Sequence, residues 1–144
     1  MCVHQIIKGV FLFLIKENQI LLSKRLNTTH FQDYYGVISG NVLKNEIFET
    51  AIIREANEET GIKLQKQDLK VVHIMHRIDE QDESMYVFFI SEKWFGEIEN
   101  KEPNRCEELI WTPIERLPQN IVPYVKEAIR YYRTKQYFSE YKWQ

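Results

Sequence analysis

From Ile47 to Glu59 the chain contains neither glycine nor proline, and Phe48, Ala51, Ile52, Glu55, Ala56 and Glu59 recur there at three- and four-residue steps. That spacing places them on one face of a helix. Gly61, just after Thr60, is suited to the left-handed residue that ends such a helix. The flanking sequence has a different character. Apart from Lys8 and Gly9, Ile6 to Ile15 is apolar, β-branched or aromatic, Lys16-Glu17-Asn18-Gln19 interrupts it, and Ile20-Leu21-Leu22 resumes it, which predicts a β-hairpin. A helix enclosed by strand patterns must bury its apolar face on a sheet, so the expectation is an α/β fold.

The remaining elements follow the same logic. Tyr34 to Gly40 reads as a short strand that ends in a sharp turn. Leu69 to Ile74 and Met85 to Ile90, joined by the polar stretch Asp79 to Ser84, predict an antiparallel pair. Gly96 to Arg105 reads as a polar loop and Leu109-Ile110-Trp111 as a last strand. A proline-punctuated connection, Pro113 to Pro123, then leads to a final helix from about Tyr124 to Thr134. No internal repeat breaks the chain, so one domain over residues 1–144 is expected, with 136–144 as an aromatic tail.

Charge excludes several functions. With 19 Lys and Arg against 21 Asp and Glu, the net charge is −2, and no general positive field gathers nucleic acid or anionic lipid. No apolar run approaches the roughly 18 residues of a membrane-spanning helix. Cys2 and Cys106 form neither a CxxC site nor a disulfide framework, which fits reduced thiols in the cytoplasm.

The helix carries the chemistry. Glu55, Glu58 and Glu59 stand at i, i+3 and i+4, so their carboxylates repel each other and also oppose the negative helix C-terminus. Taken alone they form a solvated acidic face. A hard divalent cation bound by the same oxygens would turn that repulsion into binding.

Gly40, Glu46, Arg54-Glu55-Ala56-Asn57-Glu58-Glu59, Gly61 and Ile62 together resemble the Nudix box, G-x5-E-x7-R-E-U-x-E-E-x-G-U, where U is bulky and apolar and Ala56 is a loose fit. Ser39-Gly40-Asn41-Val42 is similar to the Ser-Gly-His-Val opening of a bacterial MutT-like subgroup. It departs from that opening at Asn41, and from the wider family at Leu43, where many members have an acid, and at Asn45, where glycine is usual. Asn tolerates positive φ, so the loop is expected to close and activity to be retained.

The resemblance implies a Nudix-type α/β/α sandwich with a mixed sheet, and hydrolysis of a nucleoside diphosphate linked to another group with Mg²⁺ (or Mn²⁺). It implies Gly40, Glu55, Glu58 and Glu59 as metal ligands, Glu58 also as a water-activating base, Arg54 as an orienting residue and Glu46 as support for the loop-to-helix junction. Glu102 to Trp111 resembles a loop from which an acid approaches the metals, with Glu107 the first choice and Glu102 and Glu108 left open. Ile62 to Ser84 has neither the Pro nor the Tyr of subgroups acting on ADP-ribose or dinucleoside polyphosphates, so the expected reaction is (d)NTP to (d)NMP plus pyrophosphate. Phe31, Tyr35, Val122 and Tyr124 are the expected base-pocket residues, against ordinary core packing.

The expected partner is a small nucleotide, with no membrane, and a homodimer is left open. Basic and aromatic residues from Arg130 to Gln144 raise an alternative, an RNA 5′-end hydrolase or RNA-binding module. Against it stands a terminal helix that buries those aromatics on the sheet or on a dimer partner. A fold used only for ligand sensing is disfavoured by the complete set of box acids. His4, His73 and His76 lack partner cysteines and are assigned no metal, and Ser39 lacks the elbow of a nucleophilic serine.

Overall fold

The computed structural model describes residues 3–142; Cys2 and Trp143 lie outside that range. Strand β1 (Ile7–Lys16) turns through Glu17 and Asn18, both at positive φ, into β2 (Gln19–Arg25). Two short strands follow, β3 (Tyr35–Gly36) and β4 (Ile38–Asn41), and then α1 (Phe48–Thr60). After a 3₁₀ turn come β5 (Lys70–Ile78), β6 (Glu83–Ser91) and β7 (Cys106–Pro113). The chain closes with α2 (Pro123–Arg133) and β8 (Phe138–Lys142).

The sheet runs β3-β2-β1-β6-β5-β8, with β4 also on β1 and β7 also on β2. It is mixed. β1 pairs antiparallel with β2 and β4 but parallel with β6, and β5 pairs antiparallel with β6 but parallel with β8. Apolar side chains fill both faces of β1. Phe11 and Phe13 join Phe88, Val125 and Ile129 beneath α2, while Val10, Leu12 and Leu14 join Ile52, Ala56 and Phe89 beneath α1. This is the α/β/α sandwich expected from the sequence. Neither helix is long and apolar enough to cross a membrane among the described residues.

Two expectations need correction. Tyr34 to Gly40 is not one strand, because β3 pairs with β2 and β4 with β1, and the chain changes neighbours at the buried Val37. The described part of the aromatic tail, residues 136–142, is neither free nor helical. After α2 the chain turns at Lys135 (φ 59°) and returns as β8 on β5, with His73 Nδ1 bonded to Gln136 O (2.8 Å) and Nε2 to Ser139 Oγ (2.7 Å). Tyr131 stacks on His73, with centroids 4.9 Å apart, and Tyr132 and Tyr141 pack against the core. These three rings pack into the fold and are withdrawn from the stacking surface that the RNA alternative requires, while Tyr137 and Phe138 stay exposed.

Candidate active site

The site forms where β4, the loop behind it and α1 meet. β4 lies against β1 through Gly9↔Asn41 and Val10↔Gly40, which fixes the loop's entry. Asn45 then takes φ 65°, so an asparagine closes the turn that a glycine makes more cheaply. Ile47 stands at the helix N-cap, and Gly61 (φ 82°) ends α1 with its N–H on Asn57 O (2.8 Å).

Gly40 is required for a steric reason. A Cβ there would fall inside the Glu55 carboxyl group, so only glycine lets this carboxylate rest on the strand backbone. Arg54 ties the loop to the helix. Its Nε donates to Glu46 Oε2 (2.8 Å) and its Nη2 to Glu46 Oε1 (3.0 Å), while its Nη1 reaches Glu55 Oε1 (2.8 Å) and Glu58 Oε2 (3.3 Å). Nη2 also donates to Asn41 O (3.1 Å), and Leu43 N–H donates to Glu46 (3.0 Å). The guanidinium fork and the amide together hold the Glu46 carboxyl below the usual carboxylate range.

Glu55 and Glu59 shift in the opposite direction to Glu46. Burial lifts both above the usual range, and for Glu59 strongly, with the neighbouring Glu55 charge adding to the effect and the Ser39 amide opposing it. The two carboxyl groups act on each other in this pocket, so either a shared proton or a shared cation would relieve their repulsion. That donor set, carboxylate oxygens beside the Gly40 backbone, suits a hard divalent ion. Among the described residues no three such side chains already converge on one point, since Arg54 Nη1 stands between Glu55 and Glu58. Glu58 is the most exposed of the three, its side chain half open to solvent.

These groups open into a cavity of about 740 Å³. Glu55, Glu58, Glu59 and Glu102 line its acidic part, while Phe11, Tyr86 and Tyr124 form an apolar part. Glu102 arrives because Lys101 N–H docks on Glu59 O (3.0 Å) at the end of α1. Arg25 and Arg105 also face the cavity.

The structure does not bring every expected residue together. Ser23 and Arg25 on β2 face the cavity, so Lys24 between them points the other way and takes Glu107 at 3.0 Å. Glu107 is therefore outside the cavity lining, and among the loop acids Glu102 stands in its place. Tyr35 pairs with Lys24 in register and donates its hydroxyl to Glu108, also away from the cavity. Val122 is fully buried core. Tyr124 lines the cavity, and Phe31 lines an adjoining one of about 500 Å³ beyond Tyr86 and Tyr124. Arg25 and Arg105 escaped sequence reasoning. The alternation Ser23, Lys24, Arg25 was the available signal for Arg25, but it needed the register to become readable.

Residues 6–133 match the NUDIX domain family. The chain belongs to the Nudix family. It is a MutT-like Nudix hydrolase, of an enzyme class acting on nucleoside diphosphate-linked substrates. A MutT NUDIX hydrolase from Burkholderia pseudomallei is similar at 26% identity and TM-score 0.81, over 88% of this chain and 98% of that one. A MutT protein from Methanosarcina mazei Go1 shares the fold at 17% identity and TM-score 0.77, over 89% and 93%. A MutT protein from Bacillus halodurans does so at 15% and 0.77, over 96% and 91%. In this Nudix hydrolase the box residues occupy the strand, loop and helix that carry Gly40 to Ile62.

Proposed function

We propose that this Nudix hydrolase converts a nucleoside triphosphate to the monophosphate and pyrophosphate, with Mg²⁺ or Mn²⁺ as its cation and residues 1–144 acting as one catalytic domain in the cytoplasm. The observation that carries the reading is one cavity lined by both carboxylates and aromatic rings. A polyphosphate and a nucleoside need those two environments side by side.

Four carboxylates against two arginines leave the cavity lining acidic, so a bare polyphosphate would be repelled. A divalent cation held by Glu55, Glu59 and the Gly40 carbonyl, with Glu58 alongside, would screen the phosphates and stabilise the leaving oxygen. The chain's own groups supply the rest. Glu58 is open to solvent and can take the proton of the attacking water as its oxygen bonds to phosphorus. The bridging P–O bond between the α- and β-phosphorus breaks, so one side departs as the nucleoside monophosphate and the other as pyrophosphate. Arg54 keeps Glu55 and Glu58 from swinging apart, and Arg25 and Arg105 can pair with non-bridging phosphate oxygens. Tyr124 and Tyr86, 5.3 Å apart between ring centroids, line the apolar part against which the base would rest.

The test is pyrophosphate and phosphate release from a panel of nucleotides, oxidised guanine nucleotides and 5′-triphosphate RNA included, with each cation and beside Glu58→Gln. Cation-dependent pyrophosphate release from a mononucleotide, lost in the variant, is expected. Turnover of RNA ends alone, or no turnover by folded, metal-loaded protein, would overturn the reading.

A further inference from the structure

The cavity of about 500 Å³ adjoins the acidic one, and Arg25, Tyr86 and Tyr124 line both. Strand register builds its floor. Ile7, Ser84, Arg77 and Tyr141 pair in one row across β1, β6, β5 and β8, and Gly9, Tyr86 and Met75 pair two residues further along. Alternation puts both rows on the face that carries α2, where Met75 is buried and Tyr86 packs against the core. A Cβ on Gly9 would fall 2.8 Å from the Tyr86 ring, so the glycine lets that ring lie over β1, where it borders both cavities.

Arg77 is held firmly here but is not fully used. Its guanidinium carbon stands 4.9 Å from the Tyr124 ring centroid and 5.7 Å from that of Tyr86, its Nη2 donates to Asp79 Oδ2 (3.0 Å), and its Nη1 reaches Tyr86 Oη (3.4 Å). Asp79 Oδ1 accepts from the Gln81 and Asp82 amides (2.8 and 2.7 Å), so the side chain that anchors Arg77 is itself fixed. Among the described residues, Arg77 Nε and Ser84 Oγ are the buried side-chain polar atoms left without a hydrogen-bond partner. Ser84 is fully buried and lies near the Tyr86 hydroxyl without a bond of good geometry to it, and the Arg77 side chain is only 12% exposed. Nε can only donate and the hydroxyl can donate, so the partner they lack is an acceptor. An unpaired buried donor destabilises the free protein, and a bound acceptor relieves it.

We propose that Arg77 and Ser84 read an edge of the substrate's base and select a carbonyl on it, O6 of guanine or O4 of uracil or thymine, over the amino group that adenine and cytosine carry at the same place. This rests on the nucleotide reading above, in which the base lies against Tyr86 and Tyr124. A base resting there turns an edge to the second cavity, which the same two rings line. Asp79, Glu80 and Asp82 at least balance Arg25, Arg77 and His30, so no net positive charge calls for a further phosphate. A neutral planar ring meets Phe31, Tyr86 and Tyr124 instead. An amino group would set donor against donor and leave Nε bare, which is how a site rejects an analogue outright.

Turnover of the common nucleoside triphosphates by the metal-loaded full chain tests this, with the inosine and 2-aminopurine nucleotides added. Inosine keeps the guanine carbonyl and drops its amino group, whereas 2-aminopurine keeps the amino group and drops the carbonyl. The expected kcat/KM favours guanine over adenine and uracil over cytosine by roughly tenfold or more, with inosine grouping with guanine and 2-aminopurine with adenine. Arg77→Met and Ser84→Ala should each shrink those ratios, by lowering kcat/KM for the oxo bases far more than for the amino bases, a pattern that a general loss of structure does not produce. Should Arg77→Met fail to fold, Ser84→Ala removes only a hydroxyl and carries the test. Metal-free binding of the nucleosides alone, followed by protein NMR, separates this inference from the hydrolase reading. Guanosine and inosine binding ahead of adenosine and 2-aminopurine riboside, with the lead lost in the variants, sustains the base reader even where no nucleotide is turned over. Equal treatment of oxo and amino bases, a preference for amino bases, or a preference indifferent to both variants would overturn it.

Discussion

Arg54 donates from Nε and Nη2 to Glu46 and from Nη1 to Glu55 and Glu58, so one planar fork joins the loop to about one turn of α1. A lysine keeps the charge but has no fork. Arg54→Lys is expected to cost about 1–3 kcal/mol, because Glu46, whose side chain is only 10% exposed, loses a bidentate partner. Urea denaturation reads that loss, and turnover should fall further than stability, since Glu55 and Glu58 lose their common anchor. The loop acids supply a second residue-level prediction. Glu102 lines the cavity and its charge acts on Glu59, whereas Glu107 is paired with Lys24 outside it. Glu102→Gln should lower kcat by roughly tenfold or more, within the range of acid–base contributions, and Glu107→Gln should leave it near the parent. The reverse order in steady-state assays would restore Glu107 to the site.

The loop between β4 and α1 tests what a single backbone angle contributes at the scale of an element. Asn45 sits at φ 65°, where asparagine is tolerated and β-branched residues are not. Asn45→Gly should be neutral or slightly stabilising, while Asn45→Val should cost about 1–2 kcal/mol and reduce turnover by displacing Glu46. Thermal unfolding and kcat, measured together, separate the two effects. This loop and α1 could be read from the sequence because their determinants are local: apolar spacing, a terminal Gly61, and acids three and four residues apart. β8 could not. Its strand character comes from parallel pairing to β5, some sixty residues earlier in the chain, and its aromatics look like a continuing helix until Lys135 turns. The orientation of Glu107 was hidden for a related reason. Pleat direction on β7 follows from its register on β2, through a bulge between Ser23 and Arg25 that no local pattern announces.

At the scale of the whole molecule, His73 joins the last two elements to the sheet. It is fully buried, bonds Gln136 and Ser139, and stacks on Tyr131 of α2. Burial lowers its pKa below the ordinary histidine value, and the bond to Gln136 O only partly opposes that. In the unfolded chain the same imidazole titrates near 6.5. Below about that pH the unfolded state therefore binds a proton that the folded state refuses, so unfolding becomes easier as pH falls. The stability held by neutral His73 is complete above about pH 6.5 and is lost as pH descends toward the lowered folded value, at no more than about 1.4 kcal/mol per pH unit. Between about pH 7 and 5 the parent's Tm should thus lose the His73 contribution, set against the opposite pull of Glu55 and Glu59, whose raised carboxyls favour the folded state as pH falls. His73→Asn cannot take up a proton, so it should start lower at pH 8 but descend less steeply through the same window. If the two curves run parallel, the acid sensitivity originates elsewhere, and His73 acts only through packing of β8 and α2.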